Sequence, residues 1–332
     1  MIDLTINEKQ REKNVTLCRE KGITLPTYEQ MKNPTKIPKP MIKDLEKIGL
    51  WDIHSRNLYR VNWANEPTAK GGKIGEINYL ELPSELTGVK ARIVGLAGKW
   101  FPTGAHKVGA SYSCLAPTLV TGQFDPSLHK AVWPSTGNYC RGGAYISKLL
   151  GCKSIAILPE EMSRERFEWL ENIADETIST PGCESNVKEI FDKCWELRET
   201  RGDNLMIFNQ FEELGNHLWH YEVTGNAMEQ VLRKIMSEND RFAGTCLSSG
   251  SGGTQSLLSY CASGPLSGNN INIQNVNLVG DGDSIQNYTP GTDQYEDYTY
   301  MYTSLTPNQS YDLTIQMNNI SGLPNYQSGA KV

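Results

Sequence analysis

The sequence predicts an α/β protein: a unit built on a parallel sheet over residues 1–254, followed by a β-rich antiparallel tail over residues 255–332. In the first unit, short apolar runs alternate with amphipathic stretches, the order typical of strand–helix–strand units and parallel sheets. The tail alternates polar and apolar residues with period two, between turns rich in Gly, Asn, Asp and Pro. That pattern favours an antiparallel sheet with one solvated face.

Composition supports a boundary near residue 255. All seven tryptophans lie at or before Trp219, and Lys331 is the only basic residue after Thr254. The last 78 residues carry one lysine against six acidic residues, a net charge of −5, whereas the first 254 residues carry −1. We therefore interpret the chain as two units of different origin.

Local patterns predict individual elements of the first unit. Ser163 stands before an amphipathic stretch and is predicted to cap a helix there. Three runs are predicted to be strands: Lys130–Trp133, a buried Lys153–Pro159 ended by its proline, and Glu176–Thr180. In the tail, the period-two runs at Ile271–Gln274 and Tyr311–Met317 predict antiparallel strands.

Bulk properties exclude several classes of partner. The net charge of −6 and the absence of a basic run argue against nucleic acid. No apolar stretch reaches membrane-spanning length, so no membrane partner is expected. The first ten residues lack the apolar core of a signal peptide, and eight scattered cysteines show no Cys-x-x-Cys spacing. A cytoplasmic protein with reduced thiols is expected.

The first motif is the segment Thr103–Lys107, Thr-Gly-Ala-His-Lys, followed by the small residues Gly109, Ala110 and Ser111. One interpretation is a loop that ends in a solvated lysine. The other is a primary amine held in a poorly solvated pocket, where its pKa falls and it serves as a nucleophile or base. The small residues after the lysine would permit close packing of a helix. The motif by itself does not decide between them.

The second motif, Pro134–Ala144, contains Ser-Thr-Gly-Asn and then small residues after the predicted strand at Lys130. Hydroxyls and backbone amides at a helix N-terminus suit an anion such as a substrate carboxylate, although the same residues also serve as ordinary caps and turn formers. The third motif, Gly250–Thr254, is a Gly-Ser-Gly-Gly-Thr loop after the run Phe242–Leu247. Its amides can converge on a phosphate, but the Gly-Lys-Ser/Thr ending of a nucleotide P-loop is absent.

In this order and spacing, the three motifs resemble the fold-type II pyridoxal-phosphate (PLP) enzymes of the cysteine synthase and tryptophan synthase β family. The resemblance covers about Asn78 to Thr254 and includes the segments Asn78–Gly88, Leu158–Arg166, Asn209–Glu212 and His220–Gly225. It implies an inner small domain at roughly 112–215 within a catalytic domain of residues 1–254. It also implies a homodimer.

The resemblance also implies roles for individual residues. Lys107 would bind PLP covalently, with Asn138 near its ring. The residues expected to bind the substrate carboxylate are Ser135, Thr136, Gly137, Asn138 and Gln210. The residues expected to hold the cofactor phosphate are Gly250, Ser251, Gly252, Gly253 and Thr254, with His106 beside it or in a packing role. Tyr139 replaces the usual threonine, so the substrate pocket is expected to differ, and the neighbouring Cys140 is not expected to be a nucleophile.

The activity implied is β-elimination or β-replacement on an amino acid such as serine or an O-acylserine. Serine/threonine dehydratase and cystathionine β-synthase-like activities remain alternatives, as does a pseudo-enzyme that binds the cofactor without turnover. An alternative of another class is a non-catalytic surface or adhesion protein acting through its β tail.

The tail does not resemble the rest of such an enzyme. Segments such as Tyr260–Gly264, Tyr295–Tyr298 and Leu305–Tyr311 resemble the GEVED-type β-sandwich modules of secreted bacterial proteins, over about residues 258–332. A chimeric junction near 255, in a chain of bacterial origin, would leave the outer domain without its C-terminal part. The expected consequences are an exposed sheet edge, low stability and weak cofactor retention.

Overall fold

The structure, a computed structural model, describes residues 3–66, 73–247 and 250–256, together with four strands of the tail. Two compact units divide between Leu257 and Leu258, close to the compositional boundary. Within the described residues, none of the helices combines the length and the apolar character needed to cross a membrane.

The first unit alternates helices and strands along most of its length. In chain order its elements are α1 Glu8–Glu20, α2 Tyr28–Lys32, α3 Lys39–Leu45, β1 Tyr79–Leu82, α4 Ser84–Thr87, β2 Ile93–Leu96, α5 Lys107–Thr121, β3 Lys130–Pro134, α6 Asn138–Leu149, β4 Lys153–Pro159, α7 Arg164–Ile173, β5 Glu176–Thr180, α8 Val187–Arg201, β6 Leu205–Ile207, α9 Leu214–Trp219 and α10 Gly225–Ile235.

Four of these strands form a parallel sheet in the order β5-β4-β3-β6. Its register pairs Val132 of β3 with Ile155 of β4 on one side and with Ile207 of β6 on the other. The prediction of a parallel sheet is therefore confirmed. The bounds of β4 and β5 coincide with the predicted runs, and β3 extends the third run by one residue.

The two faces of this sheet are covered by different helices. On one face, Val132 and Ile155 pack with Ile190 of α8. On the other, Trp133 lies against α6: its indole donates a hydrogen bond to Ser147 (2.9 Å), and a Cβ on Gly143 would come within 2.0 Å of its ring. Because both faces are covered there, the central strands β3 and β4 are mainly apolar rather than alternating.

Helix α5, which begins at Lys107, packs between α6 and α9 with almost no free space. A Cβ on Gly109 would come within 2.0 Å of the Trp219 ring, and a Cβ on Gly142 would lie 3.0 Å from the backbone of Val108. The prediction that small residues after the lysine permit close packing is confirmed. The N-terminus of α5 is held in place as a result.

Two local expectations are wrong. Ser163 occupies the N-cap position of α7, but its side chain makes no capping hydrogen bond. The family resemblance also implies a strand directly before Lys107, but β2 ends at Leu96 and two short 3₁₀ turns intervene. The segment Asn78–Gly88 contains β1 and α4, and β1 pairs with β2 as an antiparallel ribbon. The run Phe242–Leu247 before the glycine loop is irregular.

The second unit contains four described strands: β7 Ile271–Val279, β8 Ser284–Tyr288, β9 Asp312–Asn319 and β10 Tyr326–Lys331. They form an antiparallel sheet in the order β10-β9-β7-β8. Both predicted tail strands fall in β7 and β9, apart from Tyr311, which is outside the described residues. The segments Tyr260–Gly264, Tyr295–Tyr298 and Leu305–Tyr311 of the GEVED-type resemblance are also outside them, and that resemblance stays a prediction.

Candidate active site around Lys107

The turn that leads into Lys107 has an uncommon backbone. Thr103 has φ = 68° and Gly104 has φ = 71°, and Thr103 is the only non-glycine residue with positive φ in the described part of the chain. The left-handed region costs a threonine on the order of 1–3 kcal/mol, so surrounding contacts must hold it there. Thr103 is buried, and this turn lets the chain enter α5 at Lys107.

The Lys107 amine lies in a poorly solvated position. Its Nζ donates a hydrogen bond to the Ser251 hydroxyl (3.1 Å) and lies 6.0 Å from the centroid of the Tyr139 ring. Among the described residues, no carboxylate is within ion-pair distance of it. Burial lowers the pKa of this lysine from its usual 10.5. The geometry thus favours the buried-amine interpretation over a solvated surface charge.

Ser251 belongs to the glycine loop, which closes over the same amine. Gly252 has φ = 74°, a conformation that favours glycine, and a short 3₁₀ turn, Gly253–Gln255, follows. A Cβ on Gly253 would come within 2.4 Å of the Asn216 side chain, so only glycine lets the loop backbone approach Asn216 this closely. The loop and the lysine, 144 positions apart in sequence, meet at one hydroxyl.

The Ser-Thr-Gly-Asn turn joins the end of β3 to α6. The Ser135 hydroxyl is buried and accepts hydrogen bonds from the backbone N–H of Gly137 (3.3 Å) and from Gln210 Nε2 (3.4 Å). Helix α6 begins at Asn138, whose side chain is exposed. The structure therefore brings Ser135 and Gln210 together at a helix N-terminus, where the backbone donors favour an anion.

Asn216 connects these two halves, and sequence reasoning missed it. Its Nδ2 donates to the backbone carbonyl of Gln210 (3.0 Å) and to the Ser251 hydroxyl (2.8 Å). The side chain is 1% exposed, and its Oδ1 has no hydrogen-bond partner. A buried amide oxygen without a partner costs free energy unless something donates to it. Only the tertiary contacts point to this residue, because no local pattern distinguishes it within Asn209–Gly225.

His106 lies in an aromatic cluster. Its ring stacks on Trp63 at 5.8 Å and meets the edge of His220 at 5.1 Å. Burial, with the neighbouring Lys107 charge, lowers the pKa of His106 to about 4, and burial lowers that of His220 well below its usual value. Both imidazoles are therefore neutral near pH 7, and this placement supports the packing role given as one alternative for His106.

The helix beneath this cluster changes its hydrogen-bond pattern. Between α9 and α10, residues His220–Thr224 form a π-helical turn, a feature common at functional sites. His220 Nδ1 and Thr224 Oγ1 are 3.1 Å apart, and the Trp63 indole donates to the same hydroxyl (3.0 Å). The turn fixes the imidazole of His220 beside His106.

The two residues that follow Asn138 are core residues. The Tyr139 hydroxyl donates to the Cys114 sulfur (3.4 Å), and the tyrosine is 1% exposed. Burial raises the pKa of the Cys140 thiol to about 12. Because a thiol with that pKa carries almost no thiolate at neutral pH, the expectation that Cys140 is not a nucleophile agrees with its surroundings.

The donor set suits the chemical groups of PLP. A desolvated amine matches its aldehyde. A loop whose Gly253 leaves no room for a side chain, with the Ser251 hydroxyl, matches its phosphate. Metal-ligating clusters of His, Cys, Asp and Glu are absent from the described residues.

Sequence comparisons point to the same enzyme group, although no protein-family model matches the chain. Cystathionine beta-synthase of Saccharomyces cerevisiae is 27% identical over 180 residues, 54% of this chain and 35% of that protein. A probable cysteine synthase of Bacillus subtilis is 29% identical over 153 residues, 46% of this chain and 47% of that protein. Cysteine synthase of Staphylococcus aureus is 32% identical over 129 residues, 39% of this chain and 40% of that protein.

Solved structures with partial similarity include an O-acetylserine dependent cystathionine beta-synthase from Helicobacter pylori, with 20% identity and a TM-score of 0.47 over 56% of this chain and 59% of that one. The chain spans less than half the length of the three curated relatives. Over about half of its own length it is related, at low identity, to PLP-dependent enzymes of the cysteine synthase and cystathionine beta-synthase type.

Proposed function

We propose that the first unit is a PLP-dependent catalytic unit that carries out β-elimination or β-replacement on a small amino acid such as serine or an O-acylserine. The observation that carries the proposal is the Lys107 amine: it is desolvated, it has no carboxylate partner among the described residues, and it is hydrogen-bonded to Ser251 of the glycine loop. A lysine that only contributes surface charge requires neither burial nor a hydrogen bond to a glycine loop.

Each residue group has a defined task in this proposal. Gly250–Thr254 hold the cofactor phosphate, and Lys107 binds the cofactor and afterwards moves the α-proton of the substrate. PLP supplies, when bound, an electron sink for the charge left at the α-carbon. The lowered pKa of Lys107 favours the neutral amine, which is the form that accepts a proton.

The substrate carboxylate is assigned to the turn at the N-terminus of α6. The Ser135 hydroxyl accepts a hydrogen bond from Gln210 Nε2 (3.4 Å), which places the Gln210 amide beside the backbone N–H groups of 136–138. Holding the carboxylate there orients the α-carbon and β-substituent before reaction, which removes part of the entropic barrier.

The reaction class rests on the relatives. Cysteine synthase and cystathionine beta-synthase are the names of the three curated proteins above, and both name β-replacement enzymes. The match to the yeast cystathionine beta-synthase covers the larger part of this chain and favours a cystathionine-forming activity as the second candidate. Because the named relatives are enzymes, they do not support the alternative of a non-catalytic surface or adhesion protein.

The test is the visible absorbance of the purified full chain with added PLP, before and after L-serine or O-acetyl-L-serine. We expect a visible absorbance band from lysine-bound cofactor that shifts when substrate is added. Lys107→Ala should remove both the band and turnover, whereas Lys99→Ala, at an exposed lysine eight positions earlier, should retain them.

A band that persists in Lys107→Ala would refute the assignment of this lysine. A band in the native sequence that never shifts with substrate would instead identify a pseudo-enzyme that binds the cofactor without turnover. Failure of the native chain to bind PLP would refute the proposed function itself.

A further inference from the structure

Two arginines near the Ser-Thr-Gly-Asn turn belong to the neighbouring helices α6 and α7. Arg166 Nη1 donates to the Thr136 carbonyl (3.3 Å), and a Cβ on Gly137 would be 3.4 Å from the same nitrogen. The Arg141 guanidinium lies 4.8 Å from the ring centroid of Trp169, which is one helical turn after Arg166 on α7. Burial, and then the charge of Arg166, lowers the pKa of Arg141. Neither was singled out by the sequence.

No acidic side chain compensates this pair within the described part of the chain. Arg141 and Arg166 form no ion pair there, and Arg141 Nε is buried without a hydrogen-bond acceptor. Their neighbour Arg164 behaves differently: it is 90% exposed on its side chain and pairs with Glu168 at 2.6 Å. A half-buried guanidinium without an acceptor is unfavourable unless a ligand supplies one.

The backbone adds more positive potential at the same place. Arg141 is the fourth residue of α6 and Arg166 the third residue of α7. Helix N-termini disfavour cations by a few tenths of a kcal/mol to about 1 kcal/mol each, so both arginines occupy positions where an acidic residue is the usual choice. Two guanidinium groups and two helix N-termini together form an anion-attracting site.

Two aromatic rings pack near the half-buried guanidinium of Arg141. The guanidinium of Arg141 lies 4.8 Å from the Trp169 ring centroid and 5.9 Å from that of Trp51. Trp51 is 49% exposed and also contacts the turn before Lys107, since a Cβ on Gly104 would be 3.4 Å from it. A planar cation held between rings loses little entropy when it binds a planar or tetrahedral oxyanion.

We propose that Arg141 and Arg166 form an oxyanion subsite for a second anionic group, a carboxylate or phosphate, on one of the substrates of the Lys107 site. This inference rests on the proposed function and narrows its substrate class. The group is distinct from the α-carboxylate, which is assigned to the turn at 135–138. It belongs either to the β-substituent of the amino acid or to the incoming nucleophile.

The first experiment is calorimetry on the full chain saturated with PLP, so that the glycine loop does not capture the probe. Inorganic phosphate and O-phospho-L-serine are titrated into the native chain, Arg166→Gln, Arg141→Gln and the matched control Arg164→Gln. Loss of one charge-assisted contact should weaken binding of both probes at least about tenfold in the first two variants. Arg164→Gln should bind like the native chain.

The second experiment identifies which substrate carries the anion. Turnover is compared for O-phospho-L-serine against O-acetyl-L-serine, and for 3-mercaptopropionate against 2-mercaptoethanol as nucleophile. In Arg166→Gln, we expect KM to rise at least about tenfold for the charged compound of one of these two pairs only. The pair that shows this increase identifies whether the amino acid or the nucleophile carries the anion. Equal effects on charged and neutral members would overturn the proposal.

The proposed PLP-dependent function and the proposed oxyanion subsite can be refuted independently of each other. If PLP does not bind, the visible spectrum shows it, and phosphate titration of the unloaded chain still reports on the arginines through the same variants. Arg141→Gln also loses its contacts with the tryptophans, but Arg166→Gln does not, so the latter decides the result if the former unfolds. Phosphate affinity equal in the native chain and in Arg166→Gln, or no phosphate binding at all, would overturn the subsite.

Discussion

The parallel sheet that carries the Ser-Thr-Gly-Asn turn is more completely packed than the β1–β2 ribbon that precedes Lys107 in the chain. On the sheet side, β3 and β4 are buried along nearly their whole length, and α6 and α8 cover the two faces. On the ribbon side, β1 and β2 form only a pair of strands, with Leu80 48% exposed and Ile93 41% exposed. Ser135 therefore lies at the end of a packed layer, whereas the glycine loop lies against α9, where Gly253 meets the Asn216 side chain.

This difference shows what holds each half of the site. The end of β3 and the start of α6 are fixed by close packing, whereas Gly250–Thr254 follow the irregular residues of the run Phe242–Leu247. The contacts that fix the loop are specific hydrogen bonds, from Lys107 and Asn216 to Ser251. We therefore expect the sheet side to be sensitive to volume and the loop side to be sensitive to the loss of polar contacts.

The largest expected effect tests this sensitivity to volume. Gly143→Ala places a Cβ within 2.0 Å of the Trp133 ring and should lower the free energy of unfolding by about 3 kcal/mol, because a packed core cannot make room. In the ribbon, Gly95→Ala meets only Leu80, at 3.9 Å, and should change it by less than about 1 kcal/mol.

The measurement is urea denaturation followed by tryptophan fluorescence, which reports on the first unit because all seven tryptophans lie there. Similar losses for Gly143→Ala and Gly95→Ala would contradict the contrast between the two sides.

The next effect tests the polar link at the loop. Asn216→Ala removes the hydrogen bonds to Gln210 and Ser251 and should cost about 2 kcal/mol of stability, with PLP held about tenfold less tightly. The matched control is Asn14→Ala, another buried asparagine, which donates to the carbonyls of Leu119 (3.0 Å) and Phe124 (2.8 Å). It should cost similar stability and leave the PLP affinity, measured by equilibrium dialysis, unchanged.

If both asparagine variants lower the PLP affinity equally, the effect is one of general stability and Asn216 has no positioning role.

The smallest effect concerns Glu213, at the start of α9. Burial, with repulsion from Glu212, raises the pKa of its carboxyl from 4.5 to about 7. A raised carboxyl pKa contributes stability that is fully present below pH 4.5 and is lost as the pH rises through about 7, because the unfolded chain then releases the proton first. Glu213→Gln keeps a neutral side chain at every pH and should remove this loss.

The expected difference between the variant and the native chain is about 1 kcal/mol at pH 7.5 and close to zero at pH 4.5, after allowance for partial solvation. It is measured by urea denaturation at several pH values. His106 opposes the trend, since a base with a depressed pKa loses stability as the pH falls below 6.5 towards 4, but it does so equally in both proteins. If the free energy of unfolding depends on pH in the same way in the native chain and in Glu213→Gln, the Glu213 carboxyl is solvated.

Much of the sheet was predictable because its signals are local. The run Lys153–Pro159 is short, mainly apolar and ended by a proline, which is the pattern of a strand buried on both faces. The run Glu176–Thr180 is rich in Thr, which favours a strand, and it lies at the edge of the sheet. Capping by Ser163 was not predictable from its residue type, because the side-chain rotamer decides whether the hydroxyl reaches the helix amides.

For the candidate site, the sequence by itself determined the residue types and their order: the lysine motif, the Ser-Thr-Gly-Asn turn, Gln210 and the glycine loop. The tertiary structure decided that Ser251 receives the Lys107 amine, that Asn216 joins the loop to Gln210, and that Arg141 and Arg166 converge without an acidic partner among the described residues. The physical reason is that desolvation, hydrogen bonding and charge depend on neighbours distant in sequence, whereas helix and strand patterns depend on residues a few positions apart.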